Sequence, residues 1–241
     1  MALITPRNIA TSKLIDGSNF LTSSNIPDNT VTNAMLADQR PWVHIDTRTW
    51  SSDGSHDGDT YGRFYFRNIF ESQYSMIKFY FHWLGNTTDN IDLKARFIDN
   101  QTVSGYATTG QWTDSVYYGS HILSTSGSSS INAANWSSAT EATLYMNMWS
   151  PVQGGITGEL MLQMFNQNPN QAKQNDAFRP YMYGDFVGYR NGSQYDRTIM
   201  QFRYNQERTS DSFGGIQFFG TAATNWRQGS TISAYGLRWD A

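Results

Sequence analysis

The chain has 241 residues, a net charge of −3, 15% charged residues and 15% aromatic residues. This composition excludes the low-aromatic, high-charge profile of a disordered chain, and it lacks the basic field that nucleic-acid binding needs. Cysteine is absent, which excludes disulfides and thiolate chemistry. Without an apolar run of about 18 residues we expect no membrane insertion, and the N-terminal residues do not have the unbroken apolar core of a signal peptide.

Residues 1–40 differ from the rest of the chain. Phe20 is their one aromatic residue, and their apolar side chains follow neither a helical nor a strand period. Five of these side chains are spaced about five to seven positions apart: Leu14, Leu21, Ile26, Val31 and Leu36. A segment of this kind cannot form a core by itself, so it is either a loose tail or an extended arm that lies on another surface. We expect the arm, with the five apolar side chains as its attachment points.

From Pro41 onward the pattern predicts β-strands. Apolar and polar residues alternate in short segments that are separated by Gly, Asn, Asp and Ser. The segments are WVHIDTRTW, RFYFRNIF, MIKFYFHW, IDLKARFI, ATLYMNMW, TGELMLQMF, RTIMQFRY, GIQFF and TISAYGL. No long helical pattern interrupts them. Residues 41–241 are therefore predicted to form an all-β domain, an antiparallel β-sandwich or jelly roll.

Two polar stretches are predicted to be long loops of this domain. They are residues 166–180 and residues 124–138, the second of which reads STSGSSSINAANWSS. Long loops on a rigid sandwich commonly carry binding residues.

The densest acidic cluster runs from Asp53 to Asp59. Its first half matches a calcium-binding loop, but Phe64 stands where such a loop places its bidentate glutamate. The cluster also contains Asp-Gly twice, which is favourable turn chemistry between two strands. We expect a hairpin turn here, with a cation site as the alternative.

No motif predicts catalysis. The histidines are not at metal-ligand spacing or beside a nucleophilic serine turn; they are His44, His56, His82 and His121. Four carboxylates could form the pair that a glycosidase needs, although only a structure gives their separation; they are Glu141, Glu159, Asp185 and Asp196. We expect these carboxylates to be solvated charges at strand ends, and we predict no enzyme activity, no metal and no cofactor.

Tyrosines beside polar residues are candidates for surface recognition. They occur in DSVYYGS and in RPYMYGDFVGYRNGSQY. Exposed aromatic rings next to amide and carboxylate groups can bind sugars or another protein, and the alternative is that these rings belong to an aromatic-rich core. The candidates are Tyr117, Tyr118, Tyr181, Tyr183 and Tyr189.

Four motifs follow one another along the second domain. They are an aromatic run at Phe66–Phe81, DLKARF at Asp92–Phe97, GEL at Gly158–Leu160 before a long polar stretch, and GSTISAYGL at Gly229–Leu237. In this order they resemble a widespread type of tailed-bacteriophage virion protein, over most of residues 61–238. The closing motif is the most specific, and NTVTNAMLAD in the arm is similar to short repeats near the start of phage fibre proteins.

The closing motif of such a protein is expected to be the strand that completes the sandwich. Gly229 would permit a tight turn into this strand, and Gly236 would permit a close approach of another group to the backbone.

The resemblance implies a non-enzymatic, trimeric protein on the virion surface, made in the host cytoplasm and attached through residues 1–40. Its partners would be two further copies of itself and the major capsid protein or a tail component. Fibre proteins that anchor to a tail usually carry a larger N-terminal domain, so we expect a capsid decoration, cement or head-fibre protein. The alternative is a tail fibre or receptor-binding protein that contacts a host-surface glycan, and a glycan-degrading tailspike is a third hypothesis.

Overall fold

The computed structural model describes residues 42–51, 62–67, 69, 74–87, 90–98, 117–126, 128, 131–148, 155–165, 179–190, 194–204, 215–221 and 226–238. All regular elements among these residues are β-strands, which confirms the predicted all-β class. In chain order they are β1 (Trp42–Thr49), β2 (Arg63–Arg67), β3 (Tyr74–Leu84), β4 (Ile91–Ile98), β5 (Tyr117–Thr125), β6 (Ile131–Ala139), β7 (Ala142–Met148), β8 (Ile156–Phe165), β9 (Arg179–Arg190), β10 (Gln194–Tyr204), β11 (Gly215–Gly220) and β12 (Thr231–Arg238).

Two regions with sequence-based predictions lie outside the described residues. They are the arm, residues 1–40 with its five attachment side chains, and the cluster from Asp53 to Asp59. The described residues contain no helix that could cross a membrane.

The strands form two antiparallel sheets that pack against each other. The large sheet has the order β1-β12-β3-β8-β9-β10-β5-β6, and the small sheet has the order β2-β11-β4-β7. Most of the buried apolar side chains form one cluster between the sheets. The fold is therefore the antiparallel β-sandwich that the strand pattern predicts.

Aromatic rings dominate the core because the strands place every second side chain on the inner side. In β3, Phe79 and Phe81 point inward and are at most 1% exposed. Phe218 of β11 meets them from the small sheet, with ring-centroid distances of 5.0 Å to Phe79 and 5.1 Å to Phe81. Both contacts are edge-to-face, the arrangement that aromatic quadrupoles favour.

The closing strand β12 lies inside the large sheet, between β1 and β3. Gly229 has φ of +88°, a left-handed conformation that suits glycine, and its N–H donates to the carbonyl of Trp50 at 2.9 Å. At Gly236 a Cβ atom would lie 2.3–2.5 Å from ring carbons of Tyr74. Both glycines thus occupy the kinds of position that the sequence motif suggests.

The prediction of a loop over residues 124–138 is wrong. Ile131–Ala139 is strand β6, paired with β5. No residue of β6 is fully buried. Its Trp136 and Ala139 are partly buried and pack against the core, but they are three positions apart and so do not give the alternation that reveals a strand in sequence. In the other predicted loop, Arg179 and Pro180 belong to β9, and residues 166–178 lie outside the described residues.

Candidate functional site

The outer face of the large sheet, the side that points away from the small sheet, carries exposed apolar and aromatic side chains. Monomeric proteins usually cover such side chains, and a concentration of them marks an interaction surface. They are Tyr80, Ile122, Tyr183, Val187, Tyr195 and Ile199.

An open groove of about 610 Å³ crosses this outer face. It runs over β3, β8, β9 and β10, and we call it the groove. Its lining residues are Tyr80, Phe81, His82, Thr157, Gly158, Glu159, Asp185, Val187 and Arg197.

On the β9–β10 side of the groove, an arginine and a carboxylate form a two-pronged ion pair. Arg197 Nε donates to Asp185 Oδ1 at 3.0 Å, and its Nη2 donates to Asp185 Oδ2. The parallel N–H bonds fix the orientation of both planar groups. These hydrogen bonds raise the pKa of Arg197 further above its ordinary value.

On the β3 side, Lys78 and Glu159 form a second ion pair. Lys78 Nζ lies 2.8 Å from Glu159 Oε2, donates to the hydroxyl of Tyr80 at 3.1 Å, and sits 4.8 Å from the centroid of that ring. Burial by itself would lower the pKa of Lys78, but the hydrogen bonds to Glu159 and Tyr80 outweigh it and raise that pKa. The tyrosine ring is thereby held in place at the groove.

A chain of polar side chains leads from the groove across β12 to β1. His82 Nε2 and Ser233 Oγ are 2.9 Å apart, and Ser233 Oγ is 2.9 Å from Thr47 Oγ1. Thr47 Oγ1 in turn lies 2.8 Å from His44 Nε2. His44 and His82 are therefore connected through Thr47 and Ser233 by hydrogen bonds on the outer face.

The structure brings two of the four candidate carboxylates together. Glu159 and Asp185 are direct partners across β8 and β9, each in its own ion pair. Glu141 lies elsewhere, hydrogen-bonded to Lys94 Nζ at 2.9 Å and to Arg96 Nη2 at 2.7 Å. Burial raises the pKa of Glu141, but these partners and Thr140 lower it to about 2.

The fourth carboxylate, Asp196, is 1% exposed on the inner side of β10. On β5, His121 is 4% exposed, and its ring centroid lies 4.4 Å from that of Trp136. Burial lowers the pKa of His121, and the charge of Asp92 opposes that shift only in part. Neither side chain reaches the groove, and Asp196 is not the solvated strand-end charge that its sequence context suggests.

The five candidate tyrosines divide into one buried ring and four rings at the surface. Tyr117 is fully buried, stacks on Phe97 and accepts a hydrogen bond from the Phe97 N–H at 2.9 Å, so its assignment to surface recognition is wrong. The other four reach the outer face from strands β5 and β9 rather than from loops; they are Tyr118, Tyr181, Tyr183 and Tyr189.

Two residues that line the groove, Tyr80 and Arg197, are absent from the sequence-based candidates. The alternation in MIKFYFHW places Tyr80 on a polar strand face, and this pattern is the sequence feature that could have identified it. What the sequence does not give is the register that sets Tyr80 opposite Glu159 across β3 and β8.

The described residues hold no cluster of three or more side chains suited to a metal ion. The chain matches no protein-family model, and no curated protein is similar to it in sequence.

Proposed function

We propose that this protein is a non-enzymatic structural component of a tailed-bacteriophage virion, displayed on the capsid as a decoration, cement or head-fibre protein. The observation that carries the proposal is the strand order of the two sheets. Eight strands, taken in chain order, form a core: β1, β2, β3, β4, β7, β8, β11 and β12. Numbered one to eight, they lie in the orders 1-8-3-6 and 2-7-4-5, which is the arrangement of a jelly roll, a fold common in viral capsid and lectin domains.

The remaining four strands are two hairpins added to this core. The hairpin β5–β6 follows the fourth core strand, β4, and the hairpin β9–β10 follows the sixth, β8. Together they extend the large sheet beyond β8 in the order β9-β10-β5-β6. Insertions between core strands leave the core order intact, so they are compatible with a jelly roll.

The phage-like sequence motifs coincide with the core rather than with the added hairpins. The run Phe66–Phe81 ends β2 and covers most of β3, Asp92–Phe97 lies in β4, Gly158–Leu160 lies in β8, and Gly229–Leu237 covers β12. This agreement between motif and core supports a shared fold with the virion proteins that the sequence resembles.

The geometry of the groove favours binding over catalysis. A glycosidase needs one carboxyl group that carries a proton and donates it to the leaving oxygen. Glu159 and Asp185 instead each face a cation, Lys78 and Arg197, on an open sheet surface. We therefore keep the proposal that the protein is not an enzyme.

In the proposed assembly, three copies associate and the arms of residues 1–40 lie along the major capsid protein. A closed symmetric oligomer would cover apolar surface that one copy leaves exposed. Arms that reach different capsid subunits would bridge them and resist expansion of the shell.

Deletion of residues 1–40 tests the attachment. We expect the truncated protein to fold, with an unchanged thermal transition, but to fail to co-sediment with particles that lack the native protein. Replacing Leu14, Leu21, Ile26, Val31 and Leu36 by serine should have the same effect, whereas replacing five serine or threonine residues of the arm by alanine should not. Truncated protein that still decorates particles would show that the arm is not the anchor.

The location is tested on the particle itself. Particles without the protein should assemble but release their DNA at a lower temperature than complete particles, and an electron cryo-microscopy map should place the protein on the shell. The groove favours a second candidate, a receptor-binding protein of the tail. Recovery of the protein on purified tails alone would replace the capsid location with that candidate.

A further inference from the structure

We propose that the groove on the outer face is a binding site for an uncharged saccharide. The proposal rests on the side chains of the groove and not on the location of the protein in a virion. It assigns the groove a ligand class: a hydroxyl-rich ring compound with an apolar face.

Tyr80 provides the apolar platform. Its side chain is 37% exposed in the groove, and its ring is held by Lys78 and by an edge-to-face contact with Tyr235 at 5.6 Å. A rigid tyrosine offers a large amphipathic contact area at a small cost in conformational entropy. The C–H-rich face of a pyranose ring is a suitable partner for such a ring surface.

Glu159 and Asp185 provide hydrogen-bond acceptors beside this platform. The three residues lie side by side across neighbouring strands: Tyr80 of β3 is opposite Glu159 of β8, and Glu159 is opposite Asp185 of β9. An ionised carboxylate has about four lone-pair sites, so Glu159 can accept bonds from ligand hydroxyls while it keeps its pair with Lys78. Fixed polar groups beside an aromatic surface are what orients a small ligand in a pocket.

Arg197 provides donors on the far side. Its guanidinium carries five N–H groups and directs Nε and Nη2 at Asp185. The ion pair fixes the guanidinium at the groove, where its remaining N–H groups can meet hydroxyl oxygens.

The charges of the site favour an uncharged ligand. Lys78 balances Glu159, and Arg197 balances Asp185, so the groove has no excess positive charge with which to attract phosphate, sulfate or nucleic acid. The groove is open rather than enclosed, and this form can admit a short segment of a longer glycan.

The test is calorimetric titration of the full chain with uncharged tetrasaccharides of glucose, galactose, mannose and N-acetylglucosamine, with dextran sulfate as the anionic probe. We expect at least one uncharged probe to bind with millimolar affinity or better, and Tyr80→Ala to weaken it by about tenfold. Tyr80→Phe should retain most of the affinity because it keeps the ring. Glu159→Gln should weaken binding through loss of a charged acceptor.

The matched control is Tyr65→Ala. Tyr65 lies in β2 of the small sheet, is partly exposed, has the Arg67 guanidinium 5.2 Å from its ring centroid, and does not line the groove. Its replacement should leave saccharide binding unchanged, and thermal melting of every variant should confirm an intact fold.

Four results would overturn the proposal. The first is that no uncharged probe binds at about 10 mM, where millimolar affinity is visible. The second is that Tyr65→Ala weakens binding as much as Tyr80→Ala, and the third is that dextran sulfate binds more tightly than every uncharged probe. The fourth is that Tyr80→Ala dissociates an oligomer and leaves saccharide binding intact, which would make the groove an interface between copies. None of these results bears on whether the protein attaches to a capsid.

Discussion

Strands β3 and β6 belong to the same sheet but form for different reasons. In β3, neighbours pair on both sides, and its inward side chains Ile77, Phe79 and Phe81 are at most 1% exposed. In β6, one edge pairs with β5, no residue is buried, and Ile131 is 70% exposed. Burial of apolar side chains accounts for β3, whereas β6 depends more on backbone pairing with β5, since its Trp136 and Ala139 are only partly buried against the core.

The two edge strands of the large sheet, β1 and β6, also differ in how they are protected against pairing with another chain. Edge strand β1 has a bulge between His44 and Asp46 and an Asp46–Arg48 ion pair of 2.7 Å. Bulges and charges discourage an edge from pairing with another chain. The pairing of edge strand β6 with β5 also shifts register, between Tyr117 and Gly119, but β6 has neither a charged residue nor a proline. Of these two edges, β6 is the one open to pairing with a further strand.

The largest expected effect is in the core beneath β3. Phe218→Ala removes a fully buried ring that meets Phe66, Phe79 and Phe81. We expect the free energy of unfolding to fall by about 3–5 kcal/mol, measured by urea denaturation. A loss below about 1 kcal/mol would mean that β3 is not held by its buried face.

A smaller loss is expected at Gly236, beside β3. Gly236→Ala would place a methyl group against the buried ring of Tyr74, and overpacking of this kind costs about 1–3 kcal/mol. Gly229→Ala is the control, because no atom lies within 4 Å of its added Cβ and the cost comes from the positive φ alone, at about 1 kcal/mol. Equal losses in the two variants would contradict the role of the Tyr74 contact.

Glu141, two residues after the end of β6, ties the hairpin to β4 through Lys94 and Arg96. Its pKa in the folded protein, about 2, is below its ordinary value of 4.5, so its contribution to stability is complete above pH 4.5 and is lost as the pH falls toward 2. Glu141→Gln should destabilise the protein by about 1–2 kcal/mol at pH 7, a figure reduced for partial solvent exposure.

The measurement is the melting temperature between pH 7 and pH 2.5. The difference between wild type and Glu141→Gln should shrink as the pH falls, whereas Glu159→Gln, with its exposed pair, should differ little from wild type throughout. A constant difference for Glu141→Gln across this range would contradict the ion-pair explanation.

The smallest effect is expected in β6 itself. Ile131 is already exposed, so Ile131→Lys removes no buried contact, and the free energy of unfolding should change by less than about 0.5 kcal/mol. The added charge should also reduce self-association at high protein concentration, measured by sedimentation velocity. A loss of stability as large as that of Phe218→Ala would show that β6 has a buried face after all.

The sequence predicts those strands whose inner positions are filled by large apolar residues. In β9, the inner positions include Gly184 and Gly188, where an added Cβ would meet Phe186 in the first case and Ile156 in the second. Glycine therefore replaces an apolar residue because the neighbouring side chains leave no room, and the alternation disappears from the sequence. In β6 the alternation is missing because no side chain is fully buried, and the two that pack against the core, Trp136 and Ala139, are three positions apart.

The groove could be predicted only in part, for a related reason. Glu159 and Asp185 are visible as candidate carboxylates, and Tyr80 is visible on a polar strand face. Their proximity depends on the registers of β3, β8 and β9, which no local pattern encodes. Distant segments are aligned by the fold as a whole.

The position of β12 has a consequence for synthesis of the protein on the ribosome. In the large sheet, β1 pairs with β12 alone, although 182 residues separate Thr49 from its partner Thr231. Among the described strands, β1 is therefore made first but has no partner in the large sheet until β12 has been made, and contacts so distant in sequence slow folding. A translation product that stops before Thr231 would leave β1 and one edge of β3 unpaired, so incomplete chains would be exposed to proteolysis before they could join an assembly.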